Sequence, residues 1–135
     1  MSCFQSEARW HNLYIHVPFC ASRCGYCAFY SETCSTLELR RRYIESVERF
    51  IAGQTFLDAV SSVYIGGGTP NFLGTAEMER LFKAIYRNVP LTADCEISCE
   101  LNPELLTEDK LSVLNTYANR LILGVQSFDE CVRRK

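Results

Sequence analysis

The sequence predicts an α/β fold, a parallel sheet wound into a partial TIM-like (β/α) barrel, about half of a full one. Three observations predict it. Strand-like and helix-like segments alternate along the chain, an order that suits parallel strands joined by right-handed crossovers. The strands carry one apolar or small parity and one polar parity, whereas a parallel strand covered on both faces reads as continuously apolar. A barrel with helices outside and a polar lumen requires that split. Finally, 135 residues make one modest domain, and 47% hydrophobic content can fill its core.

The elements follow in order. "LYIHV" (Leu13 to Val17) reads as the first strand, and the cysteine-bearing stretch "PFCASRCGYCAFY" comes directly after it. Leu37 to Ile51 reads as a helix because Tyr43, Ile44, Val47, Phe50 and Ile51 share one face. Arg40, Arg41 and Arg42 fall mostly on its wet side. "SVYIG" (Ser62 to Gly66) is the second strand, with "GGGTP" as its turn, and Met78, Leu81, Phe82 and Ile85 give the next helix its apolar stripe. "DCEISCEL" (Asp94 to Leu101) is the third strand. Thr107 is placed to cap the following helix, with Leu106 and Leu111 as a hydrophobic staple. "NRLILGVQ" (Asn119 to Gln126) is the fourth strand, and Ser127 to Glu130 fits the capping box of a fourth helix. The polar parity holds Tyr14, His16, Glu96, Ser98, Glu100 and Gln126. The opposite parity turns Cys95 and Cys99 toward the helices, where small buried thiols are common.

Composition excludes several functions. A formal charge of −2 gives no electrostatic case for nucleic acid or an anionic membrane. The longest uncharged stretch, Ala59 to Ala76, contains Pro70 and several glycines, so no membrane span is expected. "MSCFQSEARW" lacks an apolar signal region, which makes a cytoplasmic protein the expectation. There, eight cysteines cannot all be disulfides, and clustered ones more often hold metal. Cys20, Cys24 and Cys27 form a C-x3-C-x2-C pattern after the first strand. Four thiolates close a structural zinc site or saturate a cubane cluster, while three leave one iron open to an outside ligand. The rival reading is a structural zinc knot with His16 as fourth ligand. Tyr26 offers a flat surface to an aromatic ring of a bound molecule. "GGGTP" matches neither dinucleotide-binding nor P-loop patterns. Cys3, Cys34 and Cys131 read as incidental thiols.

The cysteine loop resembles the cluster-binding motif of the radical S-adenosylmethionine (radical SAM) superfamily. "LYIHVPFC", "YIGGGTPNFL", "ISCELNPE" and "GVQSF", in this order, resemble the group of oxygen-independent coproporphyrinogen III oxidases and HemW heme chaperones. The resemblance implies a [4Fe-4S] cluster on Cys20, Cys24 and Cys27, with S-adenosylmethionine at the open iron. It implies reductive cleavage of that molecule to methionine and a 5′-deoxyadenosyl radical. Tyr14 is similar to a tyrosine that contacts the methionine moiety. Gly67, Gly68 and Thr69 correspond to a turn that approaches the ligand closely, and Glu100 and Gln126 to residues that hydrogen-bond its ribose. Within the group, the oxidases are similar in carrying a further cysteine two residues after the third, where this chain has Phe29. They also share a longer segment before the first strand. Both features favour a HemW-like chaperone of heme metabolism, implied to bind heme and pass it to an acceptor. Ala28 departs from the aspartate usual in HemW-like loops. Oxidative decarboxylation of coproporphyrinogen III is the enzyme alternative, and a zinc-binding interaction module or inactive fragment the alternative of another class. The electron donor and heme acceptor are not named by any motif, and His11 and His16 are the only histidines available as heme ligands. Residues 1–135 are expected to be the N-terminal portion of a radical SAM core. Its last strand then carries an unpaired edge, and the isolated chain is expected to be poorly stable.

Overall fold

Strand β1 (Asn12–Val17) buries Leu13, Ile15 and Val17 while Asn12 and Tyr14 stay exposed, so the alternation in the sequence becomes two faces. The computed structural model describes residues 11–33 and 35–133, and Cys3 and Cys34 lie outside the described residues. After β1 come α1 (Leu37–Ala52), β2 (Val60–Gly67), α2 (Thr75–Asn88), β3 (Leu91–Leu101), α3 (Glu108–Tyr117), β4 (Arg120–Leu123) and a short α4 (Glu130–Arg133). The strands lie side by side in chain order and all run parallel. Tyr14, Tyr64, Ser98 and Arg120 stand in one cross-strand row. Register of this kind keeps like parities on one face. The fold is therefore the expected partial barrel.

Apolar burial holds the helices to one side of the sheet. Val17, Val63, Ile65, Ile97 and Cys99 pack against Ile44, Ile51, Leu81, Phe82, Ile85 and Leu114. A fully buried aliphatic or aromatic side chain of this kind contributes about 1.5–3 kcal/mol. Local chemistry sets the helix starts. Thr36 Oγ1 accepts from the Leu39 amide at 3.1 Å, and Thr107 Oγ1 from the Lys110 amide at 3.3 Å. Gly74 has no side chain to cap α2; instead its own N–H donates to Glu77 Oε2 at 2.7 Å.

Several expectations are corrected. Phe50 is 57% exposed, because it stands just past the edge of the α1 stripe formed by Tyr43, Ile44, Val47 and Ile51. Arg40 is drawn inward: its Nε lies 3.3 Å from Glu77 Oε2, and its guanidinium sits over the Phe72 ring. Arg41 and Arg42 are exposed as expected. β4 ends at Leu123, short of Gln126. Leu121 and Leu123, expected under helices, are 44% and 50% exposed, α4 being only four residues long. Ser127 does not cap α4. Asp129 does, its Oδ1 accepting from the Cys131 and Val132 amides, while Ser127 Oγ accepts from the Asp129 amide. A carboxylate at a helix N-terminus gains from the dipole as well as from the hydrogen bonds. Cys131 is exposed. Among the described residues no helix is long and apolar enough to cross a membrane.

Candidate functional site

The loop after β1 and the C-terminal ends of β2, β3 and β4 line one cavity of about 490 Å³. Ligand sites in parallel α/β sheets collect at that end, and the volume falls in the usual ligand range.

β1 leads straight into the cysteine loop. Phe19 is buried and meets the Tyr43 ring edge-on at 5.3 Å, anchoring the chain just before Cys20. Phe19 forms an isolated bridge with Glu32, and the Cys20 amide donates to the Glu32 carbonyl at 3.1 Å, closing the loop at its base. Within it the Cys27 amide donates to the Cys24 carbonyl. Cys20, Cys24, Tyr26 and Cys27 all line the cavity. Cys24 is exposed, Cys20 and Cys27 are half-buried, and Tyr26 is 72% exposed.

His16 holds the loop from below. Its Nε2 donates to the Tyr30 carbonyl at 2.9 Å, which in the neutral ring leaves Nδ1 to accept from the Tyr14 hydroxyl, also at 2.9 Å. Both ring nitrogens are thereby occupied, which removes the fourth ligand that a zinc knot would need. Among the described residues no three Cys, His, Asp or Glu side chains are gathered closely enough to hold a single metal ion. Zinc needs four donors around one ion, whereas a four-iron cluster spreads its ligands over separate irons. Three thiols around one cavity fit the chemistry of the second.

The β2 turn forms the facing wall through Gly67, Gly68 and Thr69. Gly67 has φ +112°, and a Cβ there would lie 2.8 Å from the His16 ring. A Cβ on Gly68 would lie 2.9 Å from Cys20 Sγ. Both glycines therefore bring the turn against protein, a closer neighbour than the ligand approach expected of them. Their amides are also engaged: Gly67 N–H donates to Glu100 Oε2 at 3.2 Å, Gly68 N–H to the Val17 carbonyl and Thr69 N–H to the Phe19 carbonyl, both at 2.8 Å. A turn with its amides spent in this way is no cradle for phosphate.

Glu100 projects from β3 into the cavity, with Oε1 accepting from the Tyr64 hydroxyl at 2.6 Å. That hydrogen bond, with burial behind it, pushes the Tyr64 hydroxyl up to about 12. Gln126 reaches the cavity from beyond β4 rather than by strand parity. It has φ 65°, a left-handed conformation uncommon outside glycine. Tyr14 does not line the cavity. It stands beside Tyr64, ring centroids 6.0 Å apart, and burial followed by the Glu100 charge raises its hydroxyl. Sequence reasoning missed Tyr64 and Asn71. Tyr64 shares the parity of Tyr14 and was legible on that ground. Asn71 is fully buried, its Nδ2 donating to the Asn102 carbonyl and its Oδ1 accepting from the Asn102 amide. It ties the loops after β2 and β3 together, a pairing no local pattern announces.

A partial parallel barrel with a three-cysteine loop after its first strand defines a class of proteins that carry a cofactor at the strand ends. The radical SAM superfamily matches residues 14–135, and the chain belongs to it. It is 37% identical over 128 residues to a heme chaperone HemW of Lactococcus lactis, covering 93% of this chain and 33% of that protein. It is 36% identical over 132 residues to an oxygen-independent coproporphyrinogen III oxidase of Escherichia coli, covering 91% of this chain and 28% of the other. The solved structure of coproporphyrinogen III oxidase (HemN) from Escherichia coli, a radical SAM enzyme, superposes with a TM-score of 0.80 at 33% identity over 97% of this chain and 31% of that one. The chain thus spans about a third of the length of the curated relatives it matches. Membership implies an iron–sulfur cluster and S-adenosylmethionine.

Proposed function

We propose that residues 1–135 are the N-terminal portion of a radical SAM core in a HemW-like heme chaperone. One observation carries this reading: the three thiols, the glycine turn, Glu100 and Gln126 border a single cavity at the strand ends. Cys20, Cys24 and Cys27 would hold the [4Fe-4S] cluster. When bound, the cluster supplies one-electron chemistry toward S-adenosylmethionine. Each Glu100 oxygen already accepts one protein hydrogen bond and keeps capacity for another, from a ribose hydroxyl. Gln126 can donate or accept beside it, and Tyr26 offers a ring face near the cysteines. Tyr14 acts through His16, to which its hydroxyl is bonded, and His16 in turn holds the loop. The thiols must stay reduced to bind iron, which suits the cytoplasm.

Phe29, standing where the oxidases carry another cysteine, favours the chaperone, whose partner would be heme. The likeness to the oxidase structure supports the second reading, with coproporphyrinogen III as substrate. Anaerobic reconstitution with iron and sulfide tests the assignment. Iron with sulfide, and a cluster spectrum that changes when S-adenosylmethionine is added, are expected. One zinc without sulfide would sink it. Heme retained without turnover selects the chaperone, and protoporphyrinogen formed from coproporphyrinogen selects the oxidase.

A further inference from the structure

Cys20 is held differently from its two partners. Its Sγ lies 3.3 Å from Thr69 Oγ1, a contact that joins the cysteine loop to the turn after β2. Cys24, by contrast, is exposed. The backbone fixes the Thr69 contact from both sides. Gly68 and Thr69 donate to the Val17 and Phe19 carbonyls, so the turn is stitched to the residues that lead into Cys20. The space at Gly68 admits no Cβ beside the sulfur.

In a free thiol either atom can donate. A cysteine bound to iron has lost its proton, so the Thr69 hydroxyl must then be the donor. We infer that Thr69 is a positioning residue that tunes the cluster through Cys20, donating a hydrogen bond to the bound thiolate. This rests on the reading of Cys20 as a cluster ligand, and it gives the Thr69 side chain a task other than touching the nucleotide. An O–H donor facing a thiolate is charge-assisted. The bond strengthens as the cluster gains an electron and sulfur gains charge, so it favours the reduced state and raises the potential.

The test is an EPR-monitored titration of the reconstituted chain with dithionite as reductant, without S-adenosylmethionine. Thr69→Val keeps the shape and removes the donor; Thr69→Ser restores the donor. Thr69→Val is expected to be on the order of tenfold harder to reduce, about 59 mV lower for a one-electron couple. Thr69→Ser is expected to stay close to the unmodified chain. Should Thr69→Val take up no cluster, Thr69→Ala, which leaves the space open, carries the same comparison. A potential unchanged in the donor-less variant while cluster content is normal overturns the tuning role alone. An unmodified chain that binds no iron overturns the ligand reading and the tuning role with it.

Discussion

The turn at Gly66–Thr69 and the loop at Cys20–Glu32 face one another across the same cavity, yet they are built in opposite ways. The turn is fixed by protein. Its amides are engaged, Pro70 and Asn71 behind it are buried, and a Cβ on Gly66, Gly67 or Gly68 would come within 3.0 Å of a neighbour. The loop is held at its base and by His16, but Cys24, Gly25, Tyr26, Phe29 and Tyr30 are exposed. A Cβ on Gly25 would meet nothing within 4 Å. Constraint on the turn is steric and belongs to folding. Constraint on the loop, under the proposed function, is chemical and belongs to the cluster its thiols would hold.

Substitutions separate the two. The largest effect is expected from Cys24→Ser, which should abolish cluster incorporation, read as bound iron and sulfide. Apo stability in urea should move by less than about 0.5 kcal/mol, as for other exposed positions. Loss of apo stability equal to that of a turn variant would erase the contrast.

Gly67→Ala should do the reverse at the level of the fold. A side chain at φ +112° against the His16 ring is expected to cost about 1–3 kcal/mol, seen as a lower urea midpoint. An unchanged midpoint would mean the turn has slack that its geometry denies.

Tyr64→Phe sharpens the picture, since it removes one hydrogen bond from Glu100 and keeps the ring beside Tyr14. About 1 kcal/mol of stability is expected to go. The bond also carries a pH signature. The folded-state hydroxyl is raised from 10.0 to about 12, so its contribution is complete below pH 10 and is lost as pH climbs toward 12. Tyr64→Phe should flatten that alkaline loss. Part of the slope that remains belongs to Tyr43 and Cys99, both pushed up to about 12 chiefly by burial, and part to Tyr14, Tyr86 and Cys95, which burial also raises. Equal slopes in variant and parent would remove Tyr64 from the titration.

The smallest effect is expected at Gly25→Ala. With open space around it, the substitution should be neutral or stabilise by up to about 1 kcal/mol through the unfolded chain. A clear destabilisation would show that the loop is packed more tightly than the turn's opposite should be.

Much of this was legible in the chain. Leu13, Ile15 and Val17 alternate with Tyr14 and His16, and period-2 alternation read both β1 faces correctly. Met78, Leu81, Phe82 and Ile85 named the buried stripe of α2. The cysteine spacing marked the loop and "GGGTP" marked the turn. The failures occurred where one element's fate depends on another. Arg40 looked solvated until α2 supplied Glu77, and Leu121 looked buried but is 44% exposed. Gln126 reached the cavity, but through a left-handed loop rather than a strand.

By itself, then, the sequence determined which residues of β1 and α2 face in and which face out, and which three sulfurs travel on one loop. These depend on periodicity and spacing, which are local. Only the tertiary structure decided that Tyr64 grips Glu100, that Asn71 clamps Asn102, and that Cys20 alone among the three meets Thr69. Each of those contacts joins segments about thirty or more residues apart. The register of parallel strands brings them together, and no nearest-neighbour pattern encodes it.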